Sequence, residues 1–435
     1  MDKLIVQQAL EMALRAGADQ ARVVLTESSL NTYSLLDGEL ERLQHSFSSS
    51  LYFQLYVDGR YGTFSTNRME PSDFAKYLHE AVESTRLLAP DPCRTLPPKE
   101  LYFEGDAADL QQDDPTYDSI APEAKRELLE KLGTEIDRSD KRIISVANEY
   151  EDYRERCLTI DSQGFCGETS GTLFSLSTEC SVKGRGDVRP QNFWYDSTMF
   201  FDTLPLGCGK IALERTLGML GAKKIRSGKY QVILDRTVAS KVVSPIFTAL
   251  SGGAIQQKNS FLLDSIGKNL LGEKLTITDT PHLPGLMGSR WFDSEGLATR
   301  GQDIIRSGAP QTYFLTTYFA NKLGLAPTVE SVSVPNLKPS GAASAEEMMA
   351  TIGRGILITG FNGGNTNGAT GDFSFGIEGY LFENGVITHP IKEMNMTGNI
   401  VSLWNSVTNI GTDYRECSRW RIPSISFENV DLSGM

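Results

Sequence analysis

The stretch LHEAVESTRL, residues 78–87, opens with His79 and Glu80, the first letters of a zinc-protease helix motif. In H-E-x-x-H, two imidazoles on one helix face hold the metal and the glutamate beside them serves as general base. Here Glu83 and Ser84 stand where the second histidine belongs. On a helix, His79 falls about 100° round from Leu78, in the sector of Lys76, Glu83 and Arg86. That sector is polar, so the expectation is a solvated helix side with an i, i+4 polar pair. His45, His282 and His389 lie far apart along the chain and supply no local ligand pair.

Other groups raise the same question. Ser265 to Lys268 spell S-x-x-K, the nucleophile motif of penicillin-binding enzymes, but no K-T-G follows. Ser251-Gly252-Gly253 reads as a helix end and loop, since no G-x-S-x-G surrounds it. The glycine-rich GFNGGNTNGATGDFSFG (360–376) lacks the Lys-Ser/Thr of a phosphate loop. It reads as turns between strands, with glycines that let a bound peptide approach the backbone. NEYEDYRERC (148–157) is rich in carboxylates, and alternating charges and aromatics on an outer face explain it most simply. Cys157 and Cys166 flank an expected turn at Ser162-Gln163-Gly164, which brings them near each other as thiols.

The 435-residue chain carries a net charge of −13, which repels phosphate backbones and anionic membrane surfaces. Neither nucleic acid nor membrane is therefore expected as a direct partner. The N-terminus has no signal-peptide pattern, and no apolar run is long enough to span a bilayer. The six cysteines form no CxxC pair and read as reduced thiols in a cytoplasmic protein.

These groups need elements to carry them. Val6, Leu10 and Ala13 recur at helical spacing before Gly17, which predicts a helix over 3–16. Leu51, Phe53, Leu55 and Val57 alternate up to Asp58-Gly59, a hairpin turn. A helix over 72–88 follows, capped by Ser72, with Phe74, Leu78, Ala81 and Leu88 buried. After a linker at 91–118, a similar order returns: a helix over 122–137 burying Leu128, Leu132 and Ile136, then strands, then a helix near 208–220. The shared order suggests a structural duplication. Beyond residue 225 come one helix, 237–249, and many strand candidates, including a hairpin about Asn384-Gly385. The reading is α+β: an N-terminal domain (1–90), a central domain (119–224), both helix–strand–helix blocks, and a β-rich C-terminal domain (225–435).

SGKYQVILDRTVASKVVSPIFTALSGGAIQQKNSFLLDSIGKNLL (227–271) and GRGILITGFNGGNTNGATGDFSFGIEGYLFENGVITHPIKEMNMTGNI (353–400) resemble the TldD/TldE (PmbA) family, once labelled modulators of DNA gyrase. The stretch SGGAIQQKNSFLLDSIGKNLL is similar to the TldE (PmbA) branch, and it leaves Phe261, Leu262 and Ile266 as packing residues. In that family the active subunit carries H-E-x-x-x-H on the helix after a VxLD-like strand, with a cysteine near the C-terminus. The resemblance puts Ser244 and Pro245 at the first histidine and the glutamate, and Ala249 at the second histidine. Serine is a poor zinc ligand, proline no general base, and alanine has no ligand atom. Pro245 is also expected to kink or restart its helix. Cys417 lies near the family's cysteine but alone makes a poor site.

The resemblance implies a non-catalytic subunit with no cofactor of its own, zinc being expected only in a TldD-type partner. Together the two would act on unfolded peptide. Ser251, Gly252, Gly253, Lys258, Gly363, Gly364 and Asp372 are the implied peptide-cleft or subunit-contact residues. Two other readings stand beside it: a homodimer that binds peptide without hydrolysis, and a stand-alone hydrolase using Ser265–Lys268 or Cys417.

Overall fold

The computed structural model describes residues 3–105, 108–341 and 344–434. Helix α1 (Lys3–Arg15) buries Val6, Ala9, Leu10 and Ala13, the stripe set by its spacing. Strands β1 (Gln20–Leu36), β2 (Glu39–Val57) and β3 (Arg60–Thr66) follow, then α2 (Pro71–Arg86). Leu51, Phe53, Leu55 and Val57 are all buried, and positive φ at Asp58 and Gly59 makes the tight turn after them. The order repeats in α3 (Pro122–Gly133), β4 (Ile143–Asp161), β5 (Cys166–Val182), β6 (Gln191–Thr198) and α4 (Cys208–Gly218).

The six strands form one sheet in the order β3-β2-β1-β4-β5-β6. Strands β1 and β4 pair antiparallel at its centre, from Arg22 opposite Asp161 to Leu36 opposite Ala147. Each block thus runs first, second, third strand outward from that seam, as a duplication would. Between α2 and α3 the chain is tied down by buried Leu96, Tyr102, Leu110 and Tyr117.

In the C-terminal part, β7 (Gly228–Leu234) leads to α5 (Ser240–Ala249) and the short α6 (Gly252–Gln256). Strands β8 (Ile277–Asp279), β9 (Gln302–Arg306), β10 (Ala309–Pro310) and β11 (Pro335–Leu337) make a small four-stranded sheet, with α7 (Thr317–Leu323) before β11 and α8 (Ala345–Ile352) after it. Then come β12 (Arg354–Thr366), β13 (Asp372–Glu383), β14 (Val386–Asn399), α9 (Ile400–Asn405), β15 (Val407–Ile410) and β16 (Ile425–Gly434). The order β14-β13-β12-β7-β16-β15, with β14 also pairing β16, closes a barrel. Asn384 and Gly385 take positive φ in the β13–β14 turn. No helix among the described residues is long and apolar enough to cross a membrane.

Several local expectations change. Ser72 does not cap α2: Glu70 holds that position with no side-chain cap, because the helix starts one residue earlier at Pro71. Leu88 lies past the helix end and is exposed. Helix α3 stops at Gly133, burying Leu129 and Leu132, with Leu128 only partly covered and Ile136 buried beyond its end. The fifth helix begins at Ser240 and runs unbroken through Pro245, which merely denies the Lys241 carbonyl its helical donor. Ile266 is exposed. Residues 360–366 belong to β12 and 372–376 to β13, so the glycine-rich run is mostly strand, with a short turn at 367–371.

The largest change concerns 148–157. This run lies inside the 19-residue β4, and Asn148, Tyr150 and Asp152 are buried. Asp152 accepts from Lys125 Nζ at 2.6 Å, Asn31 Nδ2 at 2.7 Å, Tyr117 OH at 2.7 Å and Tyr150 OH at 2.8 Å. Four donors compensate the lost hydration of a buried carboxylate.

Cys157 lies opposite Thr169, and Cys166 opposite Ile160, so the two thiols do not face each other. All six cysteines are free. Cys166 is exposed, whereas burial pushes the Cys180 thiol up and, aided by Asp196, the Cys208 thiol up to about 12. Iodoacetamide at neutral pH is therefore expected to label Cys166 long before Cys180 or Cys208. Peptide mapping after timed quenching reads this, and equal rates at the three positions would contradict it.

His79 is exposed on α2 beside the Lys76–Glu80 and Glu83–Arg86 pairs, while Leu78 is fully buried. His79→Ala should change stability by no more than about 0.5 kcal/mol. Leu78→Ala should cost about 2–4 kcal/mol. Urea unfolding distinguishes them, and comparable losses would place the helix face wrongly.

Candidate functional site

Where the N-terminal sheet meets the barrel, a cleft of about 900 Å³ opens. One wall is the strand β6, the sequence QNFWYDST, which alternation alone did not single out. The opposite wall is α5, whose apolar residues Val242, Val243, Ile246 and Ala249 pack into the barrel core. That packing leaves Ser240, Lys241 and Ser244 towards the cleft, and Thr359, Gly360 and Phe361 of β12 complete the wall. Asp235 anchors the turn before α5, accepting from the Thr237 N–H at 2.9 Å and hydroxyl at 2.5 Å.

Arginines stitch the two walls. Arg215 of α4 donates to Asn192 Oδ1 at 3.2 Å and to the Thr359 carbonyl at 2.9 Å, spanning from β6 to β12. Arg415, on the loop before β16, donates to the Tyr195 carbonyl and pairs with Asp196 at 2.9 Å. Its guanidinium also lies 4.3 Å from the Trp194 ring centroid, with Arg215 at 5.4 Å from the same ring. An indole between two guanidinium groups is held by cation–π attraction as well as contact. Arg236 donates to the Asp413 carbonyl at 3.1 Å and remains exposed. A second cavity of about 490 Å³ shares Trp194, Arg236 and Arg415 and reaches Cys417.

Of the positions that the family motif singles out, Ser244 is exposed and lines the cleft, Pro245 is half-buried, and Ala249 is buried in the core. The helix is thus presented to the cleft without a ligand atom suited to zinc. Among the described residues, no three of His, Cys, Asp and Glu converge as metal ligands. The residues present do not fit a catalytic zinc.

The remaining candidates lie elsewhere. Ser251 caps α6, its hydroxyl donating to the Thr248 carbonyl at 2.7 Å and accepting from the Ala254 N–H at 3.4 Å. Gly252 is buried, donating to the Phe314 carbonyl at 2.8 Å, and a Cβ there would lie 2.7 Å from Phe319 Cβ. Gly253 faces the same ring. Lys258 is exposed at positive φ. Gly363 and Gly364 form an exposed irregularity in β12, and a Cβ on Gly364 would lie 1.9 Å from the Ser374 carbonyl. Asp372 is exposed, its carboxylate held below the usual range by Asn399 and Thr370. The Phe261 N–H donates to the Gly368 carbonyl at 3.0 Å, which lays the Lys258 loop against the turn leading to Asp372. None of these seven residues lines the cleft.

Neither candidate nucleophile is activated. Ser265 is fully buried and donates to the Leu262 carbonyl at 2.5 Å, while Lys268 is exposed. Burial pushes the Cys417 thiol up, with Arg415 opposing, so the reactive thiolate is scarce.

Family models described as PmbA/TldA metallopeptidase domain 1, central domain and C-terminal domain match residues 21–85, 115–220 and 227–434. The chain is 30% identical over 432 residues to Metalloprotease PmbA of Escherichia coli O157:H7, covering 99% of this chain and 95% of that one. A Bacteroides thetaiotaomicron structure labelled a modulator of DNA gyrase superposes with a TM-score of 0.97 at 42% identity, over 100% of this chain and 99% of that chain. TldE from Thermococcus kodakarensis shares the fold, with a TM-score of 0.85 at 18% identity, over 99% and 100% of the two chains. The chain belongs to the PmbA/TldE family.

Proposed function

We propose that this chain is the non-catalytic, TldE-like subunit of a cytoplasmic two-subunit metalloprotease that acts on unfolded polypeptide. The observation that carries this is the α5 helix, which turns Ser244 to the main cleft, leaves Pro245 half-buried outside its lining and buries Ala249, at the positions where zinc chemistry would need two ligands and a base. What the chain offers instead is a walled cleft with an extended strand along one side, suited to a chain without folded structure.

A surface for a second chain is also present. Among the described residues, 39–49 of β2 pair only with β1, because β3 covers β2 no earlier than Leu51. Leu40, Leu43 and Phe47 are exposed on this open edge. An edge of that length with apolar side chains is a template for pairing with another subunit.

Co-expression with a TldD-type subunit, followed by cleavage of an unfolded protein, tests the proposal. The pair should cleave and this chain alone should not. Activity of the pair should survive Ser265→Ala and Cys417→Ala in this chain, within about twofold, since neither group is activated. Cleavage by this chain alone that Ser265→Ala abolishes would establish the stand-alone hydrolase. A stable homodimer that ignores the TldD-type chain would establish the self-associating peptide binder.

A further inference from the structure

The chain carries a net charge of −13, yet its cleft reverses that sign. A neighbouring cavity, also of about 900 Å³, shares Gln191 and Glu378 with the main cleft. Lys183, Arg185, Arg189, Arg215, Arg236 and Lys241 line the two, and none of the six makes an ion pair among the described residues. Other cations in the walls are already paired, Arg415 with Asp196 for one. Only two carboxylates, Glu179 and Glu378, stand among the lining residues. Lys183, Arg185, Arg189 and Arg236 are exposed and Arg215 and Lys241 half-buried, and like charges gathered round a concavity raise the local potential and attract anions, an attraction that salt screens.

The shape of the anion follows from β6. This strand is the outer edge of its sheet and, among the described residues, pairs only with β5. Its Phe193 N–H is met by the neighbouring Asn192 side chain at 2.9 Å, and its Tyr195 carbonyl by the Arg415 guanidinium. Both groups therefore point away from β5, towards the space an added strand would occupy. Phe193 and Tyr195, both exposed, stack at 6.4 Å and offer apolar contact to alternate side chains of such a strand. A polynucleotide has no amide ladder with which to complete an edge strand.

We propose that the trough binds an acidic, extended segment of polypeptide. Its main chain adds to the outer edge of β6 at the Phe193 carbonyl and the Tyr195 N–H, beside the two groups that Asn192 and Arg415 already meet, and its carboxylates meet the cations from Lys183 to Lys241. This deepens the peptide-cleft reading above and rests on it, naming acidic segments as the preferred substrate class.

The test uses this chain alone and fluorescence anisotropy. Three labelled, unstructured peptides long enough to cover the eight residues of β6 alternate Ser with Glu, Gln or Lys. Each is made with a free and with an amidated C-terminus. The Glu peptide should bind about tenfold or more tightly than the Gln peptide, the Lys peptide weakest, and added salt should erode the preference. The combined Lys241→Glu and Arg236→Glu variant, checked for folding by circular dichroism, should lose about tenfold in affinity for the Glu peptide and little for the Gln peptide. Retained affinity in the amidated Glu peptide assigns recognition to side-chain carboxylates, as proposed; its loss assigns recognition to the chain terminus and would overturn the preference for acidic segments. Equal binding of all three peptides, or no binding of any, would overturn the proposal. So would a single-stranded oligonucleotide that displaces the Glu peptide at equal or lower concentration. No second subunit and no cleavage is involved, so failed reconstitution of proteolysis and failed binding here are separate results.

Discussion

The buried ion pair between Arg22 and Asp161 is the constraint from which the cleft follows. The pair spans 2.9 Å, with both side chains almost wholly withdrawn from water. Stranding either charge by removing the other typically costs about 3–5 kcal/mol, so the geometry around it is held tightly. Arg22 comes from the first strand of one block and Asp161 from the first strand of the other, at the seam of the sheet. The guanidinium also donates to the Glu295 carbonyl at 2.7 Å and the Ser294 carbonyl at 3.4 Å, in the long insertion of the C-terminal part. Asp161 receives the Tyr102 hydroxyl at 2.6 Å, from the segment between the blocks, and the N–H groups of Gln163 and Phe165. Both N-terminal blocks, the segment between them and the C-terminal part therefore converge on one ion pair. With the sheet fixed there, its last strand stands at the barrel, where Arg215 and Arg415 complete the join.

What this arrangement presents to solvent is a helix face and a strand edge. The helix is the one on which the proposed function expects an active relative's histidines. Here its apolar face supports the barrel core and its polar face carries a lysine and serines. The packing that positions α5 depends on Val242, Val243 and Ile246 rather than on the cleft side. Ser244 lies on the cleft side of the helix and Ala249 on its packed side, so of these two positions only Ser244 can change without touching the core.

That separation also explains what the sequence disclosed. Local periodicity revealed α1, the buried stripe of α2 and the alternation of β2, because each depends on residues within one element. Asp58-Gly59 and Asn384-Gly385 were legible because their backbone conformations demand those residue types. That Ser244, Pro245 and Ala249 offer no atom suited to zinc was legible because it is a matter of side-chain atoms alone. Asp152 was not. Its burial depends on donors from β1, α3, β4 and the segment before α3, and no window around residue 152 contains them all. The cleft was hidden for the same reason: its cations are spread from Lys183 to Arg415 and meet only when the barrel closes beside β6. The glycines at 252 and 253 looked like loop residues, yet Gly252 is small because Phe319 packs over it.

The central claim is that this subunit shapes the cleft and leaves the metal to another chain. Elemental analysis of the chain purified alone, without chelators and after equilibration with zinc followed by desalting, addresses it most directly. The account predicts zinc far below stoichiometric. About one zinc per chain, retained through desalting and lost on Cys417→Ala or His79→Ala, would contradict it.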